Sequence, residues 1–377
     1  MSPRQTGAAS AELTELLLQL VAVDSVNPTL VPGGAGEAAI SGFVADWLER
    51  AGLGVSVDEI APGRSNVIGV ARGSGGGRTL LLNAHTDTVG VAGMARPHEP
   101  WLEDGRLYGR GAYDMKAGLA AAMLALASVR GLAGDLVLAA VVDEEAAGSG
   151  TEALIASGFQ ADAAIVPEPT ELNVAIAHKG FVGFEIETTG RAAHGSRPER
   201  GIDAIARMGP VLVELLALAD RLRDGGGHRL LGPGSVHASL IEGGQEFSSY
   251  PERCLLTGEW RTLPGQLPGE IEVELLEVIA RSGIGAELRT LFTGDPLETS
   301  EDEEIVRLVH GHAGTAIVGV PYWADSALLA AAGIPTVIFG PRGGGEHEIV
   351  EWVELASVEL LRDVLVATAK DFCRAIR

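Results

Sequence analysis

The sequence predicts an α/β fold in two parts: a larger domain around a mostly parallel sheet, interrupted by a smaller domain of βαββαβ order. Three observations carry this expectation. Short apolar runs alternate with helical periods as far as about residue 177. From residue 178 the pattern tightens to a period of two, with Val182, Phe184 and Ile186 on one face. After Pro296 the first style returns. The larger domain is therefore expected over residues 1–177 and 293–377, and the smaller over 178–292.

Taken in order, Leu13, Leu16, Leu17, Leu20 and Val21 have helical spacing, and the helix ends near Asp24. Glu12 and Glu15 interrupt it, which argues against a signal peptide. Val26-Asn27-Pro28 reads as a turn, and a second helix runs through Ile40, Phe43, Val44, Trp47 and Leu48 to stop at Gly52. Strands are expected at 53–59, 65–71 and 79–84, then a long loop over 88–113 and an Ala-rich helix opening near Met115. Leu136–Val142 reads as a strand, a short helix starts at Thr151, and Ala163–Val166 is another strand. The smaller domain then offers a helix over 202–222, bent at Pro210, strands at 235–242 and 253–262, a helix at 268–282 and a strand at 286–292. That order is ferredoxin-like. The remainder reads as a helix around Ile305–Val309, a strand near Ile317, a helix from Asp325, the strand Thr336–Phe339 and a last helix containing Val358, Leu361 and Leu365.

Composition narrows the function classes. A chain of 377 residues that is 46% hydrophobic can bury a sizeable core. With 51 acidic against 28 basic residues, a net charge of −23 argues against nucleic acid or an anionic membrane surface as partner. Cys254 and Cys373 form no motif, so a disulfide scaffold is not expected and a reducing cytoplasm is the simplest location. The apolar stretch Ala117–Val129 is too short to span a bilayer of about 30 Å and reads as a buried helix.

Chemistry gathers where apolar runs end. The stretch Thr79–Asp87 stops being apolar at His85 and Asp87. Other runs of the larger domain are followed by Asp114, by Glu144 and Glu145, by Glu168 and, after Phe339, by His347. In an open α/β sheet the ligand crevice lies beyond the carboxyl ends of the strands. Two histidines and several carboxylates converging there would repel one another without a cation among them. A pair of divalent ions about 3.5–4 Å apart, with one carboxylate bridging, resolves this. Imidazole with carboxylate suits Zn²⁺, with Co²⁺ and Mn²⁺ as alternatives. Each residue also has an ordinary reading: Asp114 as a helix cap, Glu144-Glu145 as a solvated loop, His85 as a structural histidine. The remaining histidines, His98, His178, His228, His237, His310 and His312, lack partners at ligand spacing, and Asp325 reads as a support residue.

His85-Thr-Asp87, Gly-x-x-Asp114-Met-Lys, Asp-Glu144-Glu145, Pro-Glu168-Pro and the late His347 resemble, in order, the motif set of the dizinc amidohydrolase and metallopeptidase family. That family includes acetylornithine deacetylase, succinyl-diaminopimelate desuccinylase, aminoacylase and glutamate carboxypeptidase. The resemblance implies a zinc-peptidase-like catalytic domain with an inserted lid or dimerisation domain. It further implies that His85 and Glu168 bind one ion, Glu145 and His347 the other, and that Asp114 bridges them. Glu144 would be the general base toward a metal-bound water, and Asp87 would orient the His85 ring. From the inserted domain, His194 in Arg-Ala-Ala-His-Gly-Ser resembles the histidine that donates to the developing oxyanion, reaching across a dimer in some relatives. Arg261 in Trp-Arg-Thr-Leu-Pro resembles the arginine that grips a substrate carboxylate. Ser248 stands where many relatives carry an asparagine, which bears on the substrate and not on the chemistry.

The expected activity is removal of an acyl group from a small N-acyl amino acid. A carboxypeptidase or dipeptidase with the same mechanism is the second reading, and a catalytically silent binding protein the third. The lack of a Gly-x-Ser-x-Gly elbow argues against a serine hydrolase.

Overall fold

In the computed structural model, which describes residues 11–375, the chain divides into two compact units. One takes in the chain to Ile176, Thr299–Val318 and the part from Ala324 onward; the other is Ala177–Glu298 with Gly319–Trp323.

The first unit is built on strands Leu136–Val141, Leu80–His85, Ala163–Val166 and Thr336–Ile338, side by side in that order and mutually parallel. Every residue in these four strands is buried. Burial on both faces is why they read as unbroken apolar runs instead of alternating ones. The helix Lys116–Ser128 is buried from Lys116 to Leu126 and packs against the final helix Leu355–Phe372. Register places His85 beside Val141 and Val166 beside Ile338. The chain thus leaves these strands along one edge, where the polar residues follow.

The sheet is mixed outside this parallel centre. Gly54–Ala61 and Arg64–Ala71 flank it as an antiparallel pair, and Val174–His178 joins the other side antiparallel. Only Pro62 and Gly63 separate the first two strands, with Gly63 at φ +74°. A connection that short permits only antiparallel pairing. The expected long loop over 88–113 also contains structure. Trp101–Glu103 and Arg106–Tyr108 form a hairpin around Asp104-Gly105, both at positive φ, as a type I′ turn requires. This hairpin joins Trp352–Glu354 and Gly343–Gly344 in a small four-stranded sheet.

The second unit carries an antiparallel sheet in the order Ser235–Gly243, Arg253–Thr262, Gly180–Thr189, Ala286–Gly294. With helices Ala204–Asp224 and Pro268–Ser282 this is a ferredoxin-like arrangement. Its core holds Phe184, Met208, Leu215, Leu256, Trp260 and Leu275. The last strand runs to Gly294, so an expected boundary at 292 falls inside it. Pro210 lies inside the first helix, which continues past it. Cys254 and Cys373 are buried and unpaired. No helix among the described residues is long and apolar enough to cross a membrane.

Candidate metal centre

Seven residues from five separate stretches of the first unit meet at the strand ends. His85 closes the Leu80–His85 strand with its side chain buried. Its Nε2 lies 3.1 Å from Asp114 Oδ1, 3.4 Å from Glu168 Oε1 and 4.0 Å from Glu144 Oε2. His347 Nε2 lies 3.5 Å from the other Asp114 oxygen, Oδ2, and 3.2 Å from Glu145 Oε2. Two donor sets result: His85, Asp114 and Glu168, then Asp114, Glu145 and His347. Asp114 belongs to both.

Local backbone geometry explains how each residue gets there. The strand before Glu144 ends at Val141, and Asp143 turns the chain at φ +66°. Glu144 and Glu145 are therefore free of the strict alternation that would send them to opposite faces. Gly118 and Gly340 bracket the turn at Glu168: a side chain on Gly118 would strike the carbonyl of Pro167, and one on Gly340 that of Glu168. His347 itself sits at φ +60°, a conformation uncommon for a non-glycine residue and concentrated at functional sites. Asp114 does not cap the helix after it; that helix starts at Lys116 behind Met115, with no side-chain cap.

The charges are strongly coupled. Burial would lower the pKa of His85, but Glu168, Asp114, Glu144 and Asp87 outweigh it and lift the imidazole well above its ordinary value. Burial pushes Glu144 and Glu168 well above the usual carboxylate range against the pull of His85. Glu145 is raised too, by burial and then by Asp114. Burial would also raise Asp114, yet hydrogen bonds from His347 and His85 hold it well below that range. Carboxylates this close destabilise each other's charged forms, which is the situation a bound cation relieves.

Asp87 differs in detail from its expected role. The His85 Nδ1 atom lies 3.0 Å from the Asp87 main-chain oxygen and 3.6 Å from its carboxylate. That carboxylate instead accepts the main-chain N–H groups of Glu144, at 3.1 Å, and Glu145, at 3.2 Å, and the Asn27 side chain at 2.7 Å. Asn27 also donates to Asp143 at 3.0 Å, and Arg64 joins Asp143 to the buried Glu37. Sequence reasoning missed this chain of groups, as it missed Glu351, which accepts three main-chain N–H groups on the approach to Asp114. Buried glutamate among polar neighbours leaves no periodic trace. Asp325, expected as a support residue, is buried and accepts from Thr151 at 2.6 Å; burial pushes its carboxyl up to about 7.

His194 and Arg261 lie in the second unit, away in sequence from these seven. His194 Nδ1 accepts the Ser196 main-chain N–H at 3.2 Å. Ser196 Oγ lies 2.8 Å from the same ring. Ser248 adjoins it, its carbonyl accepting the Gly195 N–H at 2.7 Å. Arg261 pairs with Glu259 through Nε at 2.8 Å, with its guanidinium carbon 5.7 Å from the centre of the Phe181 ring.

Comparison with known proteins agrees with the family resemblance. Residues 81–371 match the model of Peptidase family M20/M25/M40. The chain is 31% identical to an acetylornithine deacetylase of Myxococcus xanthus, over 96% of this chain and 97% of that one. It is 28% identical to an acetylornithine deacetylase of Proteus mirabilis, over 96% and 97%. Among solved structures, a tripeptidase of Staphylococcus aureus shares the fold with a TM-score of 0.80 at 20% identity, covering 97% of this chain and all, 100%, of that one. A family match across most of the chain and a relative similar over nearly its whole length leave one assignment: the chain belongs to peptidase family M20/M25/M40 and is a hydrolase of amide bonds.

Proposed function

We propose that this hydrolase removes the acyl group from a small N-acyl amino acid at a site holding two divalent metal ions. The observation that carries the metal reading is the position of Asp114, whose two oxygens face His85 and His347 separately. The donor set fits such ions: imidazole nitrogens and carboxylate oxygens, with the buried Glu145 Oε1 lacking any hydrogen-bond partner. His85 and Glu168 would hold one ion, Glu145 and His347 the other, and Asp114 both. Zn²⁺ suits these donors best. The deacetylase relatives, similar along nearly their whole length, support the deacylase reading over the peptidase one.

When bound, the ions supply Lewis acidity toward the amide carbonyl and lower the pKa of water. Glu144 is the general base: it takes the proton of the attacking water on its carboxylate and delivers it to the leaving amine nitrogen. Asp87 keeps Glu144 in place through the main chain. His194 donates from Nε2 to the oxyanion, and Arg261 binds the substrate carboxylate with its guanidinium. The second unit acts in this reading as a lid, and a homodimer formed through it would bring His194 to the partner's site.

The test is hydrolysis of N-acetylornithine, N-succinyl-diaminopimelate and simple dipeptides by chelator-stripped protein, with Zn²⁺ and Co²⁺ restored separately. Turnover of an N-acyl amino acid that vanishes on stripping and returns with metal is expected. Turnover of dipeptides alone would favour a peptidase, and turnover indifferent to chelation would remove the metals.

A further inference from the structure

The Glu351 side chain is fully buried, and its carboxylate is saturated with donors. Oε1 accepts the main-chain N–H of Tyr113 at 2.8 Å and of Asp114 at 3.0 Å. Oε2 accepts the N–H of Gly111 at 2.9 Å and the Arg110 guanidinium at 2.7 Å. Arg110 donates again, to the Glu348 carbonyl at 2.8 Å, and the Gly109 N–H reaches the Glu351 carbonyl at 3.1 Å. Six hydrogen bonds thus join residues 109–114, which end in one candidate ligand, to residues 348–351, which begin just after another, His347.

We infer that Glu351 is a positioning residue for metal binding, its carboxylate setting the distance between Asp114 and His347. The inference rests on the metal reading above. His347 is 55% exposed and so has little packing to fix it. Its placement depends on the anchoring of the segment that follows it, and Glu351 with Arg110 is that anchor. The carboxylate is required chemically. It offers acceptor lone pairs on both oxygens, whereas a glutamine would turn an N–H₂ group toward N–H donors on one side. Groups that orient metal ligands typically contribute about 10–100-fold to affinity.

The experiment is titration of stripped full-length chain with Co²⁺ alone, followed by its visible absorption. For Glu351→Gln we expect two ions to bind still, with affinity for the weaker lowered ten-fold or more. Glu351→Asp keeps the charge beside Arg110 but retracts the carboxylate by one carbon–carbon bond; a smaller loss in the same direction is expected, and this variant serves if the glutamine does not fold. Arg78→Met, which breaks the Arg78–Glu304 pair at the start of the strand that ends in His85, is the control for general destabilisation. It should lower the melting temperature and leave the Co²⁺ titration unchanged. Glutamine and aspartate variants that titrate like wild type overturn the inference, as does an equal loss of affinity in the control. A wild-type chain that binds no Co²⁺ overturns the metal reading instead.

Discussion

Asp87 accepts the main-chain N–H of Glu144 on one carboxylate oxygen and that of Glu145 on the other. The proposed base and a proposed ligand are thus set by a single side chain two residues beyond His85. Replacing Asp87 with asparagine leaves one acceptor oxygen for two amides, so one turn residue loses its anchor. We expect kcat to fall about 10–100-fold in Asp87→Asn, the range for groups that orient ligands. Steady-state kinetics checks this; an unchanged kcat would confine Asp87 to holding Asn27.

Glu144→Ala separates chemistry from metal binding. If Glu144 is the base, turnover falls by about 10²–10⁴, the usual contribution of a positioned proton acceptor. Metal content by elemental analysis should stay at the wild-type ratio, because neither donor set includes Glu144. Unchanged turnover would transfer the role elsewhere.

Chelation should cost stability as well as activity. Glu144, Glu145 and Glu168 are buried together and raised in pKa, so the folded chain without cations carries their mutual repulsion. A ligand that binds only the folded state, at 100 times its dissociation constant, adds about 2.7 kcal/mol. The melting temperature should drop in chelator and recover with Zn²⁺. A melting curve insensitive to both would count against cation binding at these residues.

Arg64 joins Glu37, whose side chain is fully buried, to Asp143. Removing one partner of such a group leaves buried charge unpaired and typically costs about 3–5 kcal/mol. Arg64→Met should therefore shift the urea midpoint markedly downward. A shift comparable to that of an exposed pair, such as Arg72 with Asp135, would show that water replaces the guanidinium.

Neither cysteine should react in the native state. Burial pushes the Cys373 thiol up to about 12 and raises that of Cys254. At pH 8 almost no thiolate is present, and thiolate is the reactive form. Ellman's reagent should titrate no thiol before denaturation and two after it. For a pKa raised from 9.0 to about 12, the folded chain keeps its proton while the unfolded one loses it, so this contribution to stability declines as pH rises from 9 toward 12.

Much of this was legible in the sequence, for identifiable reasons. The parallel strands were found because burial on both faces leaves runs such as Leu136–Val141 without a polar residue. Val182, Phe184 and Ile186 gave the second unit away by period two. The five ligand candidates stood out because they interrupt apolar runs. The hairpin at 101–108 was missed although Asp104-Gly105 between Trp-Leu-Glu and Arg-Leu-Tyr is a strong turn signal. Pro62-Gly63 likewise announces an antiparallel pair, a detail that the expectation of a mostly parallel sheet leaves unspecified. The grips of Asp87 and Glu351 were out of reach, since their partners are peptide N–H groups, which every sequence position but proline supplies.

That last property bears on how the turns tolerate change. Asp87 and Glu351 hold positions 113, 114, 144 and 145 by a feature common to nineteen of the twenty amino acids, so the grip itself does not depend on which side chain each displays; position 111 needs its glycine, at φ +77° with Thr88 and Lys116 against any added Cβ. At those four positions reactivity can be rewritten one letter at a time while the grip stands, and proline is the letter it refuses.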